Sequence, residues 1–158
     1  MDEFRFRDLC GRFATGVTIV TAFDADDQPA GMTVNSFSSV SLVPPLVAVA
    51  IDHAASAFAA LRDASAWTVN ILDSHQEALS RRFSATTHDR FEGVGWRRGA
   101  EGELLLDGVL AHLHCRRWRA VEAGDHTLLI GEVTGGNAAE HGRPLLYYRG
   151  GYGHAGGG

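Results

Sequence analysis

The stretch Gly31-Met32-Thr33-Val34-Asn35-Ser36-Phe37-Ser38-Ser39-Val40-Ser41-Leu42-Val43-Pro44-Pro45-Leu46 decides how the rest of the chain is read. β-Branched and aromatic residues alternate with small polar ones until a Pro-Pro pair ends the run, which is the pattern of a β-strand with a terminator. Met32, Val34 and Val40 supply an apolar face, while Thr33, Asn35, Ser39 and Ser41 lie opposite, with Ser36 and Ser38 close by. Short hydroxyls and an amide at that density offer donors and acceptors without bulk, which suits a polar ligand lying along the strand. A solvated edge strand with turn-forming serines would show the same pattern.

Working outward, Asp2 to Ala14 returns Phe4, Leu9 and Phe13 near helical spacing. Gly16 to Phe23 reads as a strand, and Asp24 to Pro29 carries turn chemistry. Leu46 to Ile51 is apolar on both faces, as expected for the wall of a closed or covered barrel. Ser56 is placed to cap a helix through about Ala64, Ala66 to Leu72 fits a strand, and Ser74-His75-Gln76-Glu77 reads as a capping box opening a helix to about Arg82. The glycine-rich segment Gly93 to Gly108 is expected to be a mobile surface loop. Strands follow at Val109 to Glu122, His126 to Thr134 and Pro144 to Arg149, with a flexible tail expected over residues 153–158 behind a single domain of residues 1–152. Six or so short strands with brief helices and no βαβ alternation predict a mainly β fold, an antiparallel barrel with flanking helices.

Composition narrows the function classes. The 158 residues carry a formal net charge of -5, which argues against a nucleic-acid partner, since phosphate binding needs a basic surface. All 14 basic residues are arginine, so lysine Schiff-base chemistry is excluded and any phosphate clamp falls to arginine or backbone. Cys10 and Cys115 show no metal or redox spacing. The longest apolar run is too short for a bilayer, and the acidic Met1-Asp2-Glu3 start differs from a signal peptide; the expectation is a cytoplasmic chain with no membrane contact. His112 and His114 alternate on one strand and could ligate a metal with a third residue, but no acidic or histidine partner stands at diagnostic spacing; alternation alone would turn both to solvent with Leu113 and Cys115 inward. No G-x-S-x-G elbow supports a serine hydrolase.

In Phe13-Ala14-Thr15-Gly16-Val17-Thr18-Ile19-Val20-Thr21, Gly31 to Phe37, Ser41 to Leu46, Gly124-Asp125-His126-Thr127, Ile130-Gly131-Glu132-Val133 and Pro144 to Gly150, the chain resembles the short-chain flavin reductases. The segments fall in order and span Phe4 to Tyr152. The resemblance implies a Greek-key split β-barrel and an NAD(P)H:flavin oxidoreductase that passes hydride from NADH or NADPH to FMN or FAD and supplies reduced flavin to a separate monooxygenase component, as a homodimer. A flavin-binding module without turnover is the alternative. By the same resemblance Thr33, Val34, Asn35 and Ser36 would meet the flavin ring or ribityl chain, with Ser39, Val40 and Ser41 adding contacts. Asp52, His53 and Ser56, with Arg82, Phe83, Ser84 and Arg90, would surround the phosphate or its adenylate extension. Gly124, Asp125 and His126 would lie at the nicotinamide, with His126 as the catalytic candidate. Tyr147, Tyr148 and Tyr152, with Arg149 and Gly150, could pack against a ring system or close the barrel. A helix N-terminus at Ser56 would independently suit an anion.

Overall fold

The computed structural model describes residues 1–86 and 89–155. In chain order the elements are α1 (Glu3–Cys10), β1 (Thr15–Gly16), β2 (Thr18–Phe23), β3 (Pro29–Val34), β4 (Ser38–Leu42), β5 (Pro45–Asp52), α2 (Phe58–Asp63), β6 (Ala66–Ile71), α3 (Glu77–Ser84), β7 (Trp96–Arg98), β8 (Leu104–Leu106), β9 (Ala111–Ala123), β10 (His126–Ala138), β11 (Leu145–Tyr148) and β12 (Gly151–His154). Seven strands form one antiparallel sheet in the order β3-β2-β6-β9-β10-β5-β4. Small sheets β1-β11-β12 and β7-β8 lie beside it.

The stretch opening at Gly31 is not one strand. It breaks at Asn35–Phe37, and its two halves, β3 and β4, occupy opposite edges of the seven-stranded sheet. Val34 and Ser38 are four peptide steps apart, at most about 14 Å, so the sheet must roll until its edges nearly meet. That gap is the split in the barrel. Ser36 sits at the seam, its hydroxyl accepting from Ala50 N (2.9 Å) and donating to Ala50 O (3.2 Å), so one side chain replaces a missing backbone pair. Val40, assigned inward by alternation, is 53% exposed, because β4 is an edge strand whose second face has nothing to pack on.

Rolling gives the sheet two buried faces. Inside lie Val20, Val34, Val49, Ile51, Trp67, Val69, Cys115 and Leu129. Outside, Val17, Ile19 and Leu72 pack with Phe83 of α3, Leu104 and Leu106 of β8, and Leu145 of β11. Each fully buried aliphatic side chain contributes about 1.5–3 kcal/mol, which is why β2, buried on both faces, reads as Thr-Ile-Val-Thr-Ala-Phe rather than apolar-polar alternation. The indole of Trp67 fits because Gly131 faces it: a Cβ there would lie 2.6 Å from the ring. Asn70, fully buried, donates to Ile19 O and Thr21 Oγ1 and accepts from Leu106 N, pinning β8 onto the sheet.

Several local expectations are corrected. The Gly93–Gly108 stretch is not a free loop; it contains the β7-β8 hairpin, anchored by buried Leu104 and Leu106. Ser56 does not cap α2, which spans six residues from an Ala57 N-cap without a side-chain bond, because Asp52 already closes the preceding turn by accepting from Ala54 N (2.8 Å). The Ser74–Glu77 capping box does not form. The helix α3 starts from a Gln76 N-cap without a side-chain bond, and Asp73 instead orders the turn before it, accepting from His75 N, His75 Nδ1, Ser74 Oγ and, across the fold, Arg143 N. The α3 helix runs on to Ser84, and α1 stops at Cys10, with Phe4 and Phe13 86% and 78% exposed. His112 and His114 do not face solvent: His112 Nε2 bonds Leu106 O and His114 is buried. Finally, β12 continues to His154 because Arg149 and Gly150, both at positive φ, make a tight hairpin turn. The tail expected from residue 153 therefore starts no earlier than 155, and residues 156–158 lie outside the described residues, as do Thr87 and His88 of the 85–91 loop.

Candidate functional site

Three adjoining cavities line one side of the barrel, where β3 meets α3 and the β5-α2 turn. The first, about 200 Å³, is walled by Val17, Thr33, Asn35, Ser84, Tyr147 and Tyr152. It shares Thr33 and Ser84 with a second of about 280 Å³, which adds Met32, Asp52, Ser56, Phe83 and Arg90. Ser56 and Arg90 in turn belong to a third, of about 250 Å³, bounded by Asp24, Gly31, Ala60 and Phe91. Their shared walls set the three side by side as a cleft lined by apolar and polar side chains, a setting suited to a small molecule.

Arg90 is the decisive side chain. It is 8% exposed, and it donates to Gly31 O (2.9 Å) and Ala85 O (2.6 Å). Its Nε is buried without a partner, and no carboxylate pairs with it among the described residues. Burial pushes its guanidinium below the usual range. A buried cation without a counter-ion costs several kcal/mol unless hydrogen bonds or an anion compensate it; the two carbonyls supply part of that compensation, and an anion at the junction of the second and third cavities would supply more. Arg82, which the family resemblance placed at the phosphate, is differently employed: its Nε donates to Arg90 O and its Nη2 to Asp89 O and Glu92 O, strapping the loop that carries Arg90.

Of the other expected residues, Thr33, Asn35, Asp52, Ser56, Phe83, Ser84 and Tyr152 come together in the cleft. The Thr33 hydroxyl donates to Ser80 O (2.7 Å) and Tyr152 OH shares a 2.7 Å bond with Ser80 Oγ, so both are held in place from α3. Val34 is buried in the barrel interior, and Ser36 is spent at the seam. Ser39, Val40 and Ser41 lie on edge strand β4 and line none of the three cavities. Tyr148 points away, 48% exposed, and Tyr147 lines the cleft instead, edge to face with Tyr152 at 5.3 Å. Adjacent residues of a strand face opposite sides, so only one of that pair could serve. Val17 is not singled out by the sequence; the register Tyr147↔Tyr152 is what sets the two tyrosines together.

His126 stands at the rim. It pairs in register with Asp52 across β10 and β5, and its Nδ1 lies 2.7 Å from Asp125 Oδ1. The hydrogen bond and charge of His126 hold Asp125 below its usual carboxylate range. Gly124, at φ 67, makes the hairpin turn. That hairpin is tied to the cleft wall: His53 N donates to Asp125 O (3.0 Å), and His53 Nε2 meets Thr127 Oγ1 (2.9 Å), itself bonded to Glu122. His53 thus braces the turn from outside the cleft. The described residues contain no cluster of His, Cys, Asp and Glu able to hold a metal ion.

Residues 10–156 match the flavin reductase like domain. The chain belongs to that family. Membership makes this flavin reductase-like protein an oxidoreductase of the flavin reductase class. It is 39% identical over 153 residues to a flavin reductase of Pseudomonas putida, covering 97% of this chain and 90% of that one. It is 37% identical over 152 residues to the reductase subunit HsaB of a flavin-dependent monooxygenase from Rhodococcus jostii, covering 96% and 77%. Among solved structures, the NADH:FAD oxidoreductase SgcE6 of Streptomyces globisporus, in complex with NAD and FAD fragments, superposes with a TM-score of 0.92 at 36% identity over 98% of this chain and 93% of that one. Other relatives are longer, and the chain spans 48% of one curated protein and 53% of one solved chain that it matches. Among the described residues of the flavin reductase-like chain, no helix is long and apolar enough to cross a membrane.

Proposed function

We propose that this chain transfers hydride from NADH or NADPH to FMN or FAD and delivers the reduced flavin to a separate monooxygenase component. The observation that carries the flavin part is Arg90, a buried cation without a carboxylate partner among the described residues, set between adjoining cavities. The residues fit such a guest. Arg90 and the free hydroxyl of Ser56 would take its phosphate, Thr33, Asn35 and Ser84 its polyol, and Val17, Tyr147 and Tyr152 the ring. Bound flavin would supply the hydride acceptor.

The chain's own residues then have limited tasks. The tyrosine pair, fixed by Ser80, keeps the ring end of the cleft in shape. His126 commits Nδ1 to Asp125, leaving Nε2 as its open nitrogen at the rim beside Asp52, where we place the nicotinamide. Orientation is the main contribution, because holding two reactants in line replaces a costly encounter. The monooxygenase link rests on relatives such as HsaB. We also infer a homodimer, supported by the apolar side chains left bare on one subunit, among them Phe4, Phe13, Leu42 and Val43, and a cytoplasmic site of action.

The test is oxidation of NADH and of NADPH by purified protein with no flavin, with FMN and with FAD, repeated anaerobically to watch the flavin bleach. Flavin-dependent turnover is expected. Tight flavin binding without oxidation of either nucleotide would instead favour a binding module.

A further inference from the structure

The family resemblance sets His53 at the flavin phosphate, yet it lines none of the three cavities. Its contacts run the other way, into the β9-β10 hairpin. The β5-β10 ladder ends at the pair Asp52↔His126, and His53 N extends it by one bond, donating to Asp125 O (3.0 Å). His53 Nε2 then lies 2.9 Å from Thr127 Oγ1, which itself donates to Glu122 Oε1 (2.9 Å). A hydroxyl has one proton, and Thr127 gives it to a carboxylate that only accepts, so His53 Nε2 must carry the proton that Thr127 receives. Glu122 Oε2, 3.3 Å away, is within reach of the same N–H. Phe58 of α2 packs against the imidazole, with ring centroids 4.8 Å apart. Thr127 is fully buried, which makes it the fixed point of the set.

The hairpin needs such a tether. Residues 121–125 are exposed, and the exposed end of a hairpin opens more readily than its buried base. His126 takes its orientation from the Asp125 carboxylate, 2.7 Å from Nδ1, and that carboxylate sits on the turn. Resting on the reading that places the nicotinamide at His126, we propose that His53 is a positioning residue for His126: through Thr127, Glu122 and the Asp125 carbonyl it fixes the turn that carries the Asp125–His126 pair, and it touches neither flavin nor nicotinamide. A rim side chain already in place when the nucleotide arrives spares binding the cost of ordering it. A phosphate-binding His53 and a positioning His53 make opposite demands. The first acts on the flavin; the second acts on the nucleotide alone.

The experiment compares steady-state kinetics with NADH and NADPH, and fluorescence titration of FMN, on the unaltered protein and on His53→Phe, which keeps a ring against Phe58 but has no donor. For the nucleotide that is oxidised, kcat/KM should fall about three- to tenfold, mainly through KM, the effect of a lost hydrogen bond, while FMN affinity stays within about twofold. His53→Gln, whose side-chain amide has an N–H to donate to Thr127, should recover most of the loss. Thr127→Val, which removes the hydroxyl at nearly constant shape, should reproduce it, and decides the matter should His53→Phe not fold. The two changes together should lose no more than the larger one alone. Intact nucleotide kinetics in both variants, additive losses in the pair, or FMN affinity falling as far as kcat/KM would overturn the assignment, and the last would return His53 to the phosphate. His126→Ala separates this from the reading beneath it. No effect of His126→Ala on nucleotide kinetics would remove the nicotinamide placement itself, whereas an effect that neither His53→Phe nor Thr127→Val shares would remove only the role of His53.

Discussion

Replacing Arg90 by Met separates what the guanidinium does for the fold from what it does for a ligand. In the free protein the change removes donations to Gly31 O and Ala85 O, each worth about 1.5–3 kcal/mol as bonds from a charged group. It also removes the cost of an uncompensated buried cation, several kcal/mol of opposite sign. The two nearly offset, so the melting temperature should move by no more than a few degrees. Toward a phosphate the arithmetic is one-sided. A unit charge pair at 4 Å contributes about 4 kcal/mol at an effective dielectric of 20, and after desolvation of the anion about 2–3 kcal/mol should remain, a loss of roughly 30- to 150-fold in FMN affinity. Riboflavin, which lacks the phosphate, should lose less than about threefold. Fluorescence titration of both ligands against both proteins gives the coupling directly. Equal losses for FMN and riboflavin would show that Arg90 only shapes the loop and that the anion site does not exist.

Three further outcomes follow from the same geometry. His126→Ala should raise the KM for NADH about tenfold while flavin affinity changes by less than about twofold, since His126 lies at the rim beside Asp52 and lines none of the three cavities; steady-state kinetics with flavin binding checks it, and equal losses in both would count against that placement. Asp73 is held at about 2, first by the His75 N–H and then by the His75 ring, Arg143 N and Ser74, against the desolvation that would raise it. A depressed folded pKa gives stability that is full above the unfolded value of 3.8 and lost as pH falls through about 2, so urea midpoints measured from pH 5 downward should drop, and Asp73→Asn should flatten that slope while costing about 1–3 kcal/mol at pH 7. Gly131→Ala should destabilise by about 1–3 kcal/mol by driving a methyl into Trp67 and Cys115, and Trp67→Phe should recover part of that in the double variant; a thermal melt unchanged by Gly131→Ala would contradict the packing.

Strand and turn periodicity depends on neighbours two to four residues apart, so β2, β5, β6, the β9-β10 hairpin and its turn at Gly124 are readable along the chain, whereas the turn at Arg149–Gly150 and the strand β12 beyond it are not. The ordered segments also carried the family. Composition, with arginine as the sole strong cation, limited an anion site to arginine or backbone. Which arginine, sequence could not say. Arg82 and Arg90 stand eight residues apart in similar surroundings, yet one spends its donors on three carbonyls of a loop and the other is carried by that loop into the cleft with an unmatched charge. The split at Asn35–Phe37, the choice of Tyr147 over Tyr148 and the cavity beyond Arg90 likewise depend on segments far apart in sequence meeting in space. Burial and electrostatic compensation are set by everything within a few ångströms, and that neighbourhood exists only once the sheet has rolled.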